Sequence, residues 1–503
     1  MKKRLFFKNA AILSATSLLL KTIGIFFRVW LSGKLGGEGM GLYQLIFSLY
    51  VLGSTLAATG ISTAVTRLVA DALAESEGAT AGRVLRRALL LSLAAALLST
   101  LLFYAGAPLL GTVFLQDARA VPAIRILSLG FPFMGISACI KGYFLARRKV
   151  GAPSLAQILE QLSRIAVIAV LFSRFRGCSL TVACAVVMGG DVLSECLSCG
   201  FLAVCCARDK RALPARATTP PSRLTRSLLQ IAVPITAGRH LSTALRTAEN
   251  LLVPAMLSLY TADRTVGLSQ FGTLKGMAMP LLFFPASFLA SFSTLLIPEM
   301  SEALALGQTL RVKHTVSHTL HITLTASILF GGIFAACAYP LGRLLYHTDE
   351  VGFLLQVLAP LVPVMYLESV VDGILKGLNQ QTRSLVYSVA DSGLRIGLIF
   401  LLVPKTGLAG FLFVMLLSNC FTCFLNVHRL CVVSDARIRW GRSAITPALC
   451  AGCGVAAASL LCSRVAPAAD WLQTPLRGAV VALVTVTGLF LTKSLTPEEL
   501  HLK

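Results

Sequence analysis

Two arginines and a glutamate lie inside an apolar stretch, residues 227–260, that is long enough to cross a lipid bilayer. A charged side chain in hydrocarbon is costly, so such residues normally face a protein interior or a water-filled cavity. Guanidinium groups in that position are suited to binding an anion. The polar residues of this stretch are mostly three or four positions apart, which predicts one shared helix face: Arg239, Ser242, Arg246, Glu249 and Asn250.

The first apolar stretch has a similar arrangement, with Ser17, Lys21 and Arg28 on one predicted seam. Lys21 and Arg28 are seven residues apart, as are Arg239 and Arg246. The second pair therefore repeats the first at an offset of 218 positions. We expect the four cations to line one central cavity that takes an anionic ligand. For Arg28 and Arg239, which are near helix ends, snorkelling toward the membrane interface is the alternative.

The composition predicts an all-α polytopic membrane protein. The 503 residues are 56% hydrophobic and 13% charged, with a mean hydropathy of +0.78, whereas soluble domains carry about 25% charged residues. Hydropathy marks about fourteen spans: 9–32, 42–65, 88–106, 124–146, 155–173, 178–206, 228–259, 268–297, 316–341, 353–378, 384–403, 407–428, 443–463 and 475–492.

The net charge of +23 encodes topology rather than nucleic-acid binding. With the N-terminus inside, about 26 Lys and Arg residues fall in inner segments and about 9 in outer ones, which is a strong positive-inside bias. Both termini are therefore predicted to be cytoplasmic.

The sequence also repeats itself. Residues 131–134 match 362–365, and Glu160 with Arg164 matches Asp391 with Arg395, at an offset of 231. Six helices per copy predict parallel repeats, an arrangement of alternating-access transporters. The predicted division is an N-lobe, a basic cytoplasmic linker, a C-lobe, and helices thirteen and fourteen with a cytoplasmic tail: 1–206, 207–226, 227–432 and 433–503.

Three further acids and their partners lie in predicted spans. Glu160 with Arg164, and Asp391 with Arg395, are i, i+4 pairs with the acid first, the favourable order. They are either structural ion pairs or a proton or sodium site. Asp191 is the deepest isolated acid and a further candidate for ion coupling.

Enzymatic and metal chemistry find no support in the sequence. It has no phosphate loop, HExxH or GxSxG motif, and its three Cys-x-x-Cys pairs lie in apolar spans, where helix packing explains them. His314, His318 and His321 follow helical spacing at the cytoplasmic side but lack a fourth ligand. We therefore predict a transporter rather than an enzyme, with no metal and no cofactor, driven by sodium, protons or the membrane potential.

Several stretches resemble the stage V sporulation protein B group of polysaccharide-biosynthesis membrane proteins, within the multidrug/oligosaccharidyl-lipid/polysaccharide exporter superfamily. The stretches that carry the resemblance are Gly24–Arg28 with 35–45, Arg246–Pro254, and 276–285 with 296–303. The resemblance implies the MATE-like two-lobed fold in a bacterial cytoplasmic membrane. It also implies that helices thirteen and fourteen form a lipid-tail groove, as in lipid II flippases of the MurJ type.

By that resemblance the substrate is an undecaprenyl-pyrophosphate-linked glycan, and Lys21, Arg28, Arg239 and Arg246 hold its diphosphate. Its partners would be this substrate, membrane lipids and cell-wall synthesis proteins. MurJ-type flippases carry adjacent arginines in helix two, whereas residues 52–61 here are uncharged; the glycan is then lipid II or a related spore-wall or capsule intermediate. The alternative is an ion-coupled exporter of soluble organic compounds.

Overall fold

In the computed structural model the described residues are 2–75, 78–175, 177–210, 221–464 and 470–495, and all regular elements among them are helical. Short π- or 3-10-helical segments occupy 110–114, 118–120, 272–278, 359–361 and 441–445. The α-helices are, in order, α1 Lys2–Ala74, α2 Gly78–Ala105, α3 Ala107–Leu109, α4 Val121–Ser128, α5 Phe131–Ala146, α6 Gly151–Arg174, α7 Leu180–Lys210, α8 Pro221–Thr261, α9 Arg264–Phe271, α10 Met279–Ala305, α11 Thr309–Tyr346, α12 Asp349–Leu358, α13 Val362–Gly377, α14 Gln381–Ser434, α15 Thr446–Arg464 and α16 Asp470–Leu491.

The two longest helices are each interrupted by a glycine in a non-helical conformation. Gly36 in α1 has φ 67° and ψ −175°, and Gly407 in α14 has φ 62° and ψ −140°. This region of backbone space is essentially accessible only to glycine. Gly36 lies between the predicted spans 9–32 and 42–65, and Gly407 is the first residue of the predicted span 407–428, so α1 and α14 each supply two spans.

Ten helices of the described chain are long and apolar enough to cross a membrane, or eleven if the bent pair Ala118–Ser128 and Phe131–Ala146 counts as one span. If the bent pair is counted as one span, dividing α1 and α14 at their glycines and adding α8 gives as many segments as the fourteen predicted from the sequence. Helix α8 is long enough but is not among these apolar helices, because it contains the charged residues Arg239, Arg246 and Glu249.

The internal repeat is visible in the backbone. Left-handed residues Gln116 and Arg148 have counterparts 231 positions later, His347 and Asn379, with φ between 53° and 58° at all four sites. Helices α5 and α13 begin and end at the same offset. Side chains of Asp117 and Thr348, again 231 apart, each accept a hydrogen bond from the backbone two residues on. The duplication therefore extends to turn geometry and helix capping.

Contacts between helices divide the chain into two compact units. The first contains residues 1–27 and 41–252, and the second contains 28–40 and 253–503. The core of the first unit is built by aliphatic side chains of α1, α2, α5, α7 and α8, including Val65, Leu85, Ile140, Leu202 and Leu228.

The core of the second unit joins α11, α13 and α14 through residues such as Leu320, Ile374 and Leu430. Helices α15 and α16 pack on each other and on α11 around Cys337, Ala458 and Val481. The four-part division predicted from the sequence stays a prediction. Residues 211–220 of its linker and 496–503 of its tail lie outside the described residues.

Candidate functional site

Three of the four predicted cavity cations belong to the first unit and are accessible. Lys21 lies on α1, and Arg239 and Arg246 lie on α8. All three side chains are exposed, and none forms a hydrogen bond or ion pair with the described residues. Because seven residues make nearly two helical turns, Arg239 and Arg246 project from one face about 10 Å apart along the axis. Their charges are thus uncompensated within the described part of the chain.

The fourth cation, Arg28, belongs to the second unit. Its side chain is half-buried, and the hydroxyl of Tyr346 lies within its electrostatic reach. It has no ion-pair partner among the described residues. That these four cations act on one ligand stays a prediction.

The polar neighbours of the α8 cations have different environments. Ser242 Oγ donates to the Gly238 carbonyl at 3.1 Å, within its own helix. Glu249 is buried, 4% exposed, whereas Arg246 is exposed. Ser17 on α1 is half-buried. The predicted single face therefore separates into an exposed cationic edge and an edge directed into the unit.

That inner edge of α8 fastens the helix to α1 within the first unit. Asn250 Nδ2 donates to Ser48 Oγ at 3.0 Å, and Thr247 Oγ1 donates to the Ser48 carbonyl at 3.2 Å. Two turns earlier, His240 Nδ1 lies 3.1 Å from Thr55 Oγ1. Asn250 is thus engaged in a helix–helix contact. The same contacts fix which way Arg239 and Arg246 point.

A charged cluster lies where α5, α6 and α7 meet. Arg164 Nη2 is 3.1 Å from Glu160 Oε1, and Arg164 Nε is 2.8 Å from Asp191 Oδ1. Lys141 Nζ is 3.6 Å from Glu160 Oε2. Asp191 is therefore not the isolated acid that the sequence suggested, because α6 brings Arg164 onto α7. The sequence reading missed Lys141, although an ionisable residue inside the span 124–146 was its signal.

Glu195 adds a third carboxyl to this cluster. It lies one turn after Asp191 on α7, is 5% exposed, and is electrostatically close to Glu160 and Lys141. Three carboxyls thus face two cations in the cluster. The cluster therefore contains one carboxyl more than its two cations, and an unbalanced buried charge is costly.

The equivalent ion pair in the second unit is Asp391 with Arg395, and a serine contacts both residues. Arg395 Nη2 is 3.2 Å from Asp391 Oδ2, and Ser418 Oγ accepts from Arg395 Nε at 2.9 Å while donating to Asp391. The predicted i, i+4 pairs are present in both units, and in the second unit Ser418 bridges the two partners. No group of three or more His, Cys, Asp or Glu side chains in the described residues is arranged to hold a metal ion.

The family to which these features belong is shown by comparison with known proteins. The profile of the family "Polysaccharide biosynthesis protein" matches residues 6–304, more than half of the chain. The profile of the family "MatE" matches residues 273–401.

Two relatives from Bacillus subtilis are informative. The chain is 26% identical to "Stage V sporulation protein B" over 465 residues, which cover 90% of this chain and 89% of the relative. It is 21% identical to "Lipid II flippase MurJ" over 166 residues, 31% of this chain and 30% of the flippase.

Solved structures agree with the MATE-like fold. The lipid II flippase MurJ in an inward closed conformation superposes with a TM-score of 0.71 at 15% identity, covering 95% of this chain and 98% of that one. An inward-facing multidrug resistance MATE family transporter of the MOP superfamily superposes with a TM-score of 0.65 at 14% identity, covering 84% and 99%. The predicted MATE-like, multi-pass membrane fold is confirmed, and the chain belongs to the polysaccharide biosynthesis protein family.

Proposed function

We propose that this protein is a flippase, not an enzyme, that moves an undecaprenyl-pyrophosphate-linked glycan across the bacterial cytoplasmic membrane by alternating access. The observation that carries the proposal is the set of accessible intramembrane cations, Lys21, Arg239 and Arg246, without ionic partners in the described residues. Family membership and a relative named as a lipid II flippase support this choice of substrate class. The glycan is lipid II or a related polysaccharide intermediate.

The physical reason for a cationic site is the diphosphate of such a substrate. Guanidinium and ammonium groups form charge-assisted hydrogen bonds with phosphate oxygens. A polar head held by the protein avoids contact with hydrocarbon, while the polyprenyl tail stays in the bilayer. Arg246 is the central residue of this proposal because it lies deeper in its span than Arg239.

The test is native mass spectrometry of the purified full-length protein with undecaprenyl-pyrophosphate-linked glycans. We expect wild-type protein to bind, and Arg246→Ala to lower the affinity about tenfold or more, the loss of a charge-assisted contact. Arg226→Ala is the matched control, since it removes an exposed arginine from the same helix outside the predicted span. Equal losses in both variants, or no binding by folded wild-type protein, would contradict the proposal.

A second candidate function is ion-coupled export of a soluble organic compound. It is favoured by the MatE profile match over 273–401 and by MATE structural neighbours. This candidate predicts saturable transport of a water-soluble anion that is independent of any lipid-linked glycan. Uptake into inverted vesicles, with and without the lipid-linked substrate as competitor, separates the two functions.

For the driving force, we propose that the cluster around Arg164 binds a coupling proton or sodium ion, whereas Asp391–Arg395 is structural. The cluster contains one carboxyl more than its cations, Lys141 and Arg164, can neutralise. Glu195→Gln should make transport insensitive to the ion gradient while glycan binding is kept. Transport by that variant with undiminished dependence on either gradient would exclude this role for the cluster, whereas wild-type transport that depends on neither gradient would favour the membrane potential.

A further inference from the structure

A strongly basic cavity lies in the second unit, at the beginning of α11. Its volume is about 630 Å³. One wall consists of Lys313, His314 and His318 from α11, and the other is formed by the segment 437–443 that follows α14. This segment contributes Arg437, Arg439 and Arg442. The cavity is on the side predicted to be cytoplasmic and contains none of the predicted diphosphate ligands.

The charge of this cavity is largely uncompensated. Arg437 and Arg439 form no side-chain hydrogen bond or ion pair with the described part of the chain. Lys313 Nζ lies 2.5 Å from Asp435 Oδ2, and its hydrogen bond holds the pKa of that exposed carboxyl below the ordinary value. Among the described residues, Lys313, Arg437 and Arg439 thus face one nearby acid, which leaves an excess of about two positive charges for an anion.

The back of the cavity is a fixed hydrogen-bonded frame. His321 Nδ1 lies 2.9 Å from Ser443 Oγ, and its Nε2 lies 3.0 Å from the Ser494 carbonyl. Arg442 Nε donates to the same carbonyl at 3.1 Å, while Ser494 Oγ donates to the Arg442 carbonyl at 2.6 Å. These bonds join α11, the turn before α15 and the end of α16. The cavity is therefore preorganised.

An apolar groove adjoins this cavity at Ile438, which lines both. The groove has a volume of about 380 Å³ and runs between α13 and the end of α14. Leu367 and Val427 form its walls, and Phe424 and Trp440 are 68% and 57% exposed along it. An ionic cavity and an apolar groove thus meet end to end, which matches the shape of an amphiphile.

The positive-inside rule alone explains basic residues in a cytoplasmic loop. It requires neither a cavity that gathers them nor an apolar groove at its edge. Arg86 and Arg87 on α2 illustrate the simpler case, since both are exposed on the same predicted side and line none of the cavities described here. Membrane topology alone therefore does not explain why the basic residues of the segment 435–443 line a cavity beside an apolar groove.

We propose that this site binds an anionic phospholipid, with the phosphate in the basic cavity and an acyl chain in the apolar groove. Basic pockets between membrane helices on the cytoplasmic side are suited to anionic headgroups. Arginine adds bidentate hydrogen bonds to phosphate oxygens. The lipid would fasten the 435–443 segment, and with it α15, to α11. This inference does not depend on the proposed substrate.

The test measures binding of dioleoylphosphatidylglycerol to the purified full-length protein by native mass spectrometry. We expect Arg437→Gln/Arg439→Gln to weaken binding about tenfold or more, since the variant removes two cations near the phosphate. Asp435→Asn should have the opposite effect and tighten binding, because it releases Lys313 toward the phosphate. Phe424→Ala should weaken binding through the groove alone.

Matched controls decide between this site and general electrostatics. Arg86→Gln/Arg87→Gln removes the same charge from α2 and should leave phosphatidylglycerol affinity unchanged. Dioleoylphosphatidylcholine, with the same chains and no net charge, and glycerol phosphate, with no chains, should both bind at least tenfold more weakly. Equal losses in the α2 variant, equal binding of phosphatidylcholine, or equal binding of glycerol phosphate would each overturn the proposal.

Discussion

At the scale of residues, the intramembrane charges fall into two classes that differ in their partners. Arg164 is bound to Glu160 and Asp191, whereas Arg239 and Arg246 project from their helix without an ionic partner in the described chain. A buried charge is tolerated when it is paired. An exposed, unpaired one inside a span is retained only where a ligand or water compensates it. The first class holds the fold together and the second is available for function.

Loss of Arg164 should therefore destabilise the protein without direct loss of substrate contacts. Arg164→Met leaves Glu160 and Asp191 without their shared cation, and we expect a cost of about 3 kcal/mol. Thermal unfolding of the detergent-purified protein checks this. Lys141→Met is the control, because its contact with Glu160 is longer, at 3.6 Å, and should contribute about 1 kcal/mol or less.

The double variant Arg164→Met/Asp191→Leu should recover part of that loss, since it removes one of the two stranded carboxylates. The single variant Asp191→Leu completes the comparison. If the loss of stability in the double variant equals the sum of the losses in the two single variants, the ion pair between α6 and α7 has no energetic role.

At the scale of elements, two glycines decide where a continuous helix becomes two spans. Gly36 and Gly407 adopt conformations that an L side chain rarely enters, yet their surroundings differ. A Cβ at Gly407 would lie 2.5 Å from Cδ1 of Tyr260, whereas a Cβ at Gly36 would have no atom within 4 Å. Backbone strain acts at both positions, and close packing at only one.

We expect Gly407→Ala to lower the stability more than Gly36→Ala. Strain of this kind costs about 1–3 kcal/mol, and the contact with Tyr260 adds to it at Gly407 alone. Gly397→Ala is the control within α14, since a Cβ there meets nothing and alanine favours the helix by about 0.5–1 kcal/mol. Unfolding temperatures in the order Gly397→Ala, Gly36→Ala, Gly407→Ala, from highest to lowest, would confirm this; equal temperatures would exclude the strain.

At the scale of the whole molecule, the topology depends on α8, a long helix that is not among the apolar spans of the described chain. If α8 crosses the membrane, the fourteen segments place both termini on the same side. If α8 does not cross, every later loop changes sides and the C-terminus faces outward. The basic segment 435–443 would then lie outside, against the positive-inside bias.

We therefore predict that a green fluorescent protein fused after Lys503 is fluorescent, and that alkaline phosphatase fused after His347 is active. Both results require α8 to span. The same two reporters exchanged between the positions form the control, because each should then be silent. If green fluorescent protein fused after Lys503 is not fluorescent, and alkaline phosphatase fused at the same position is active, α8 does not cross the membrane.

The sequence by itself was sufficient for the membrane class, the duplication and the i, i+4 pairs. These properties are local or periodic: hydropathy acts over a window of about 20 residues, and a helix brings residues three and four apart together whatever surrounds it. The positions of Arg239 and Arg246 on one helix face follow from the same geometry.

Only the tertiary structure decided which helix faces meet. It brought Asp191 to Arg164, placed Lys141 beside Glu160, turned Glu249 and Asn250 inward, and gathered Lys313 with Arg437 and Arg439 around one cavity. Lys141 and Glu160 are 19 positions apart, and Asn250 is 202 positions from its partner Ser48. Nothing in the spacing along a chain encodes such contacts in space. The rotation of each helix is set by packing over its whole length, and that rotation determines which charges are paired and which remain accessible.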